Sequence, residues 1–216
     1  MSSEYFNIIP SNNPVNNTYS FAAGQSLINF IIPPSENRLV GSSVRLNGRI
    51  TVTGPAAKEC LLNPRVALMS MIDSISISSH ETGQNIETIK FYPRFLSSFF
   101  STLNSEQDLL GFQSITRAST NSTGGARDSV GRTALSTNAL NQQDFSFNLL
   151  TGLLLSEVGI PLDKCGGLFI SLQLSNNENL FVADAGVASP LLSISDVHLS
   201  GLLNVGSSTA SEMTYN

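Results

Sequence analysis

The chain has 216 residues, 41% of them hydrophobic and 12% charged, with 16 acidic against 11 basic side chains and a net charge of −5. That length and hydrophobic share exclude a disordered chain and leave room for one all-β domain with a sizeable core. The acidic balance argues against a counterion-release grip on nucleic acid, since residues 1–40 carry only Glu4, Glu36 and Arg38 as charges and no basic arm.

In chain order, residues 1–24 are polar and rich in Asn, Pro and Ser, and read as an extended, irregular arm. Leu27-Ile28-Asn29-Phe30-Ile31-Ile32, stopped by Pro33-Pro34, is a short and heavily apolar strand, buried on both sides or at a subunit contact. Residues 44–53 alternate cleanly. Val44, Leu46, Ile50 and Val52 share one face with Gly48 among them, and Arg45, Asn47, Arg49, Thr51 and Thr53 take the other. A period of two with opposed polarity is a half-buried antiparallel strand, ended here by Gly54-Pro55.

Residues 69–78 repeat the pattern. Met69, Met71, Ile75 and Ile77 are expected inward with Asp73 among them, and Ser70, Ser74, Ser76 and Ser78 outward. His80-Glu81-Thr82-Gly83 reads as a turn in which Gly83 takes positive φ, and residues 85–91 as the next strand. Pro93 suits the first turn of a helix whose expected buried face is Phe95, Leu96, Phe99, Phe100 and Leu103, plugging one end of the sheets.

Residues 111–142 form a polar stretch without sustained periodicity, read as a long excursion of the same domain. Strand patterns resume at 144–149, 167–174, 179–183 and 191–203, with Ile194, Val197 and Leu199 anchoring the last. Together with 25–32, 43–53, 67–78 and 85–91 these make eight strand candidates. Eight antiparallel strands with one short helix and a long mid-chain loop predict an all-β, single jelly-roll sandwich. The expected organisation is an arm at 1–24, the jelly-roll domain at 25–205 and a tail at 206–216. No internal repeat or heptad pattern is present.

The charged fraction is about half the usual share, with Ser, Thr, Asn and Gln in its place. Charge depletion marks interface cores, so much of the surface is expected to meet other protein. No nucleophile elbow, zinc-protease helix, phosphate loop or C-x-x-C pair occurs, and Gly124-Gly125-Ala126-Arg127 lacks the lysine a phosphate loop needs. Cys60 and Cys165, with His80 and His198, make neither a disulfide framework nor a zinc pattern; the two thiols are expected free unless the fold brings them together. Asp196 and His198, two apart in a strand, would share a face and resemble half of a catalytic triad, but no nucleophile is marked out beside them. Glu106 and Asp108 read as solvated loop carboxylates, and Arg117, Arg127 and Arg132 as a solvated basic group. A buried Asp73 would need a partner such as Arg45 or Arg49. No catalytic, cofactor-binding or metal-binding residue is therefore expected, and no cofactor.

The opening Met1-Ser2-Ser3-Glu4 shows no signal peptide, and no apolar run approaches a membrane span, so a soluble protein made in the cytosol is expected. Asn16-Asn17-Thr18 and Asn121-Ser122-Thr123 match the glycosylation acceptor pattern and are read as chance.

Three stretches carry a resemblance. They are Phe30-Ile31-Ile32-Pro33 with Val44-Arg45-Leu46-Asn47-Gly48-Arg49-Ile50, Phe145-Ser146-Phe147-Asn148-Leu149-Leu150-Thr151-Gly152-Leu153-Leu154 with Ile160-Pro161-Leu162, and Gly166-Gly167-Leu168-Phe169-Ile170-Ser171-Leu172-Gln173-Leu174 with Ile194-Ser195-Asp196-Val197-His198-Leu199. In this order they resemble the upright jelly-roll capsid proteins of icosahedral DNA viruses, in the virophage and polinton-like group. In that group the major capsid protein carries two jelly rolls in one chain, and this chain has room for one. The resemblance therefore implies the single jelly-roll vertex protein, the penton: a structural virion protein made in the host cytoplasm, associating as a homopentamer beside neighbouring major and minor capsid proteins. Leu191-Leu192 stands where an aromatic would open the last strand of that group. The alternatives are a jelly-roll binding module for a receptor or glycan, which the absence of Trp weakens, and a cupin-like enzyme, which the spacing of the two histidines weakens.

Overall fold

The computed structural model describes residues 2–14, 16–53, 59–62, 66–101, 134–136, 142–156, 158–176, 181–183 and 191–205. Its strands are β1 (Ser2–Ile8), β2 (Thr18–Tyr19), β3 (Leu27–Ile32), β4 (Arg38–Thr53), β5 (Glu59–Leu62), β6 (Ile72–Ser79), β7 (Asn85–Ile89), β8 (Ala134–Ser136), β9 (Gln142–Asn148), β10 (Ile160–Pro161), β11 (Leu168–Leu174), β12 (Phe181–Ala183) and β13 (Leu191–Val205), with one α-helix, α1 (Tyr92–Ser101).

Two sheets carry the fold. In the first, β13 lies between β4 and an edge made of β1 and β2, and β4 pairs beyond it with β9 and β10. The second runs β3-β11-β6-β7. The pairing is nested along the chain. The first strands pair with the last, β3 with β11, β4 with β9, and β6 with β7, all antiparallel. A long antiparallel ribbon rolled on itself in this way is the jelly-roll sandwich that the alternation predicts. A third, small sheet pairs β12 with β5 and β5 with β8.

Alternation decides the core. Leu46, Ile50, Met71 and Ile75, on the apolar faces of their expected strands, are all buried, as are Phe30, Phe147, Leu168, Ile170, Leu172 and Leu199. Each such side chain contributes roughly 1.5–3 kcal/mol on leaving water. β11 shows the pattern without a break, every second residue from Leu168 to Leu174 being buried.

Five local readings are corrected. Ser2–Ile8 is not irregular but a strand in register with Leu199–Val205, and Tyr19 is buried in the core, so residues 1–24 are not simply an extended arm. The eighth strand of the sandwich is thus this first segment, while Phe181–Ala183, counted in its place, belongs to the small sheet. Leu27–Ile32 is buried on one face only, with Leu27 exposed. Ala67–Met71 is a 3-10 turn, not strand; this buries Ser70, whose carbonyl accepts from Ser175 Oγ at 2.7 Å, and resets the phase so that Ile72, Ile75 and Ile77 point in and Asp73 is half-exposed. Finally, the helix buries Tyr92, Leu96 and Phe100, one i, i+4, i+8 stripe, and leaves Phe95 and Phe99 exposed; Leu103 lies outside the described residues. Tyr92 was not anticipated in the helix. Its buried hydroxyl accepts from Leu150 N–H at 2.9 Å and ties α1 to the segment after β9.

Candidate functional site

The β4–β13 ladder breaks opposite Gly48. Ser195 pairs with Arg49 and His198 with Asn47, so Asp196 and Val197 together face one residue. This is a β-bulge, with Asp196 at φ 53. The bulge sends Val197 into the core and Asp196 out to solvent. There Arg49 Nε donates to Asp144 Oδ1 at 2.7 Å while its Nη1 lies 3.8 Å from Asp196 Oδ2. All three side chains are largely solvated, so the cluster is weak in energy. His198 Nδ1 donates to the backbone carbonyl of Asp196 at 3.0 Å, and the carboxylate turns to Arg49. Asp196 and His198 therefore do not form the carboxylate–imidazole half of a triad. A bulge between two residues cancels the period-two rule that would have put them on one face.

The other candidates stay apart. Arg45 donates to Ser146 rather than to Asp73. His80 is exposed at its turn, where Gly83 has φ 69 as expected. Cys165 is a free, half-buried thiol whose pKa burial raises. The side chain of Cys60, and Glu106, Asp108, Arg117, Arg127, Arg132 and Gly124–Arg127, lie outside the described residues. Among the described residues, no group of three or more His, Cys, Asp or Glu could hold a metal ion, and no helix is long and apolar enough to cross a membrane.

What the fold assembles instead is surface. Across the outer face of the first sheet runs a half-buried polar network. Arg45 Nε donates to Ser146 Oγ at 2.9 Å, Ser146 Oγ to Asn47 Oδ1 at 2.6 Å, and Asn47 Nδ2 to Ser200 Oγ at 2.8 Å. Only one member, Arg45, is charged.

At one flank, the described residues between β1 and β2, 9–14 and 16–17, leave the first sheet, and Ser11 and Asn12 reach the edge of the second. Asn12 Nδ2 donates to the Leu27 carbonyl at 2.8 Å, and Asn29 N–H donates to Asn12 Oδ1 at 2.9 Å. One side-chain amide thus stands in for the backbone of a neighbouring strand and closes part of the β3 edge. Beside it is a cleft of about 240 Å³ lined by uncharged residues that include Asn12, Pro14, Tyr19 and Gln25. At the helix, Phe91 is held at φ 56 and 58% exposed, with the Arg94 guanidinium 5.3 Å from its ring. Phe95 and Phe99 continue an exposed aromatic row, stacked 6.5 Å apart.

The protein is an all-β jelly-roll sandwich whose described residues present edges and faces rather than an assembled catalytic centre. No family model matches the chain, and no curated protein matches it by sequence. Among solved structures it is similar to a chain of the capsid of the virus PBCV-1, in a quasi-atomic model, with a TM-score of 0.51 and 12% identity over 93% of this chain. The chain spans 42% of the length of that capsid chain. At this identity the likeness is one of fold.

Proposed function

We propose that this chain is a structural subunit of a viral capsid and, within that class, the vertex subunit that closes a five-fold ring in an icosahedral shell. The observation that carries the reading is the similarity of fold, over 93% of this chain, to a viral capsid chain of which it spans 42%. Two features support it further. The chain builds one roll where the resembling major capsid proteins carry two. The hydrogen-bonded network on its outer sheet face is polar with a single charged member, as suits a surface to be covered by protein. The expected partners are further copies of itself and neighbouring capsid proteins, and the place of action is the virion. In this reading the protein is not an enzyme, and it needs neither cofactor nor metal.

A ring places every subunit in the same head-to-tail contact, and the rotation must close. The test is the mass of the native assembly of the full-length protein. Five copies are expected. A monomer at every concentration, with no association with particles, would overturn the vertex role.

One observation favours a second reading, a binding module for a receptor or glycan. The exposed row of Phe91, Phe95 and Phe99 offers flat aromatic faces at the helix. Retention of a monomer on a glycan array, lost on replacing Phe91 and Phe95 by Ser, would decide for that module.

A further inference from the structure

We infer that strand β1 is an exchange element: Ser2–Ile8 of one copy docks on the Leu199–Val205 edge of a second copy in place of that copy's own strand. The inference rests on the assembly reading above and names the segment that would join the subunits.

The acceptor edge is built for this strand. Seven residue pairs, Ser2–Val205 to Ile8–Leu199, hold it in antiparallel register. Beneath it, Gly201 leaves a gap that the Phe6 ring fills, for a Cβ on Gly201 would lie 2.7 Å from Phe6 Cζ. A groove complementary to Ser2–Ile8 is equally complementary to the same segment of another copy, so exchange keeps every contact and needs no new surface.

The strand is also lightly held in its own subunit. Among its described side chains none is fully buried; Phe6 and Ile8 are partly covered, whereas Ser3, Glu4, Tyr5 and Asn7 are exposed. Tyr5 is 65% exposed and Ile9, just beyond the strand, 70%. Two large apolar side chains in water at one sheet edge are what packing against a neighbouring copy would cover.

The connection has slack. Ile8 faces Leu199 and Thr18 faces Ser195, four positions away along β13. That gap is about 13 Å at the strand rise, whereas the ten peptide steps from Ile8 to Thr18 reach up to about 33 Å when extended. The excess is taken up in the excursion that carries Ser11 and Asn12 to β3. Releasing that excursion lets β1 reach an adjacent copy while β2 and the buried Tyr19 stay in place. Copies that each donate to the next close a ring, and reciprocal donation makes a pair.

The test uses two full-length chains, each with Cys60→Ser and Cys165→Ser. One carries Ser3→Cys; the other carries Asn204→Cys and an affinity tag. These positions are register partners whose side chains meet at 3.2 Å, and both lie at the surface. After mixing, incubation and oxidation, exchange yields a disulfide-linked pair of tagged and untagged chains on a denaturing gel. The tagged partner with Ser76→Cys, in the other sheet, gives none. Repeating the experiment with Tyr5→Cys and Leu202→Cys, also in register, guards against a fault peculiar to the first pair. If native mass shows an oligomer but no mixed disulfide forms, and Ser3→Cys/Asn204→Cys in one chain cross-links only internally, exchange is overturned and assembly stands. If the internal cross-link forms in a protein that is only monomeric, both readings fall.

Discussion

Phe145 stands directly across from Gly48 in the β4–β9 ladder, and its ring occupies the space that a side chain at position 48 would need. A Cβ on Gly48 would lie 2.9 Å from Phe145 Cζ and 3.1 Å from the Ser195 carbonyl at the bulge. The glycine thus serves two neighbours, a core ring on one strand and an irregular backbone on the other. Gly48→Ala is expected to lower stability by about 1–3 kcal/mol through overpacking. Urea unfolding measures it, and Gly48→Ala with Phe145→Leu should recover part of the loss. An unchanged midpoint for Gly48→Ala would show that the ring is free to move away.

Tyr92 and Tyr19 are both buried, yet removal of their hydroxyls should act in opposite directions. Tyr92→Phe strands the Leu150 N–H that its hydroxyl oxygen accepts, at a cost of about 1–2 kcal/mol. The Tyr19 hydroxyl is buried with no hydrogen-bond partner among the described residues, and its side chain is only 2% exposed. Tyr19→Phe should therefore leave stability unchanged or raise it by about 1 kcal/mol. Thermal unfolding of the two variants side by side checks the difference in sign.

The same two phenols predict alkaline sensitivity. Burial raises both pKa values from the ordinary 10.0, that of Tyr19 to about 12 and that of Tyr92 further. Above pH 10 the unfolded chain loses these protons while the folded protein keeps them, so the unfolded state binds fewer and stability falls with pH. Their contribution is complete below pH 10 and is lost as pH rises through 12 and beyond. Denaturant midpoints between pH 9 and 12 should fall less steeply in Tyr92→Phe, compared with its own value at pH 8. An identical slope in that variant would assign the alkaline loss to other groups.

Glu87 anchors the segment after β9 to the edge strand β7. Its two carboxylate oxygens accept from Gly152 N–H at 2.8 Å and Leu153 N–H at 2.9 Å. Glu87→Gln keeps the shape but sets an amide N–H₂ against one of these donors. A loss of about 1–3 kcal/mol is expected, since hydrogen bonds to a charged acceptor are the stronger kind. Hydrogen exchange at Gly152 and Leu153 would report it locally, and unchanged protection there would remove Glu87 from this role.

The sandwich was legible in the sequence because alternation is a local signal. Leu168 to Leu174 and Val44 to Val52 state which face is buried before any partner strand is known, and the structure buries those faces. The first strand was not legible. Ser2–Ile8 has no polarity contrast strong enough to mark it, and it is a strand only because β13 offers it a ladder and Gly201 a gap for Phe6. Asp196 and His198 fail for the opposite reason. Their spacing was readable, but a bulge opposite Gly48 moves them off a common face, and a bulge depends on the partner strand. The helix lies between these cases. Its aromatic residues were evident, yet only docking onto β6 and the segment at Leu150 selects Tyr92, Leu96 and Phe100 as the buried stripe over Phe95 and Phe99. Sequence by itself determined the periodicity, the low charge and the all-β class; the tertiary structure decided the strand count, register, bulges and which edge accepts which strand, because hydrogen-bond pairing between distant segments leaves no mark on either segment alone.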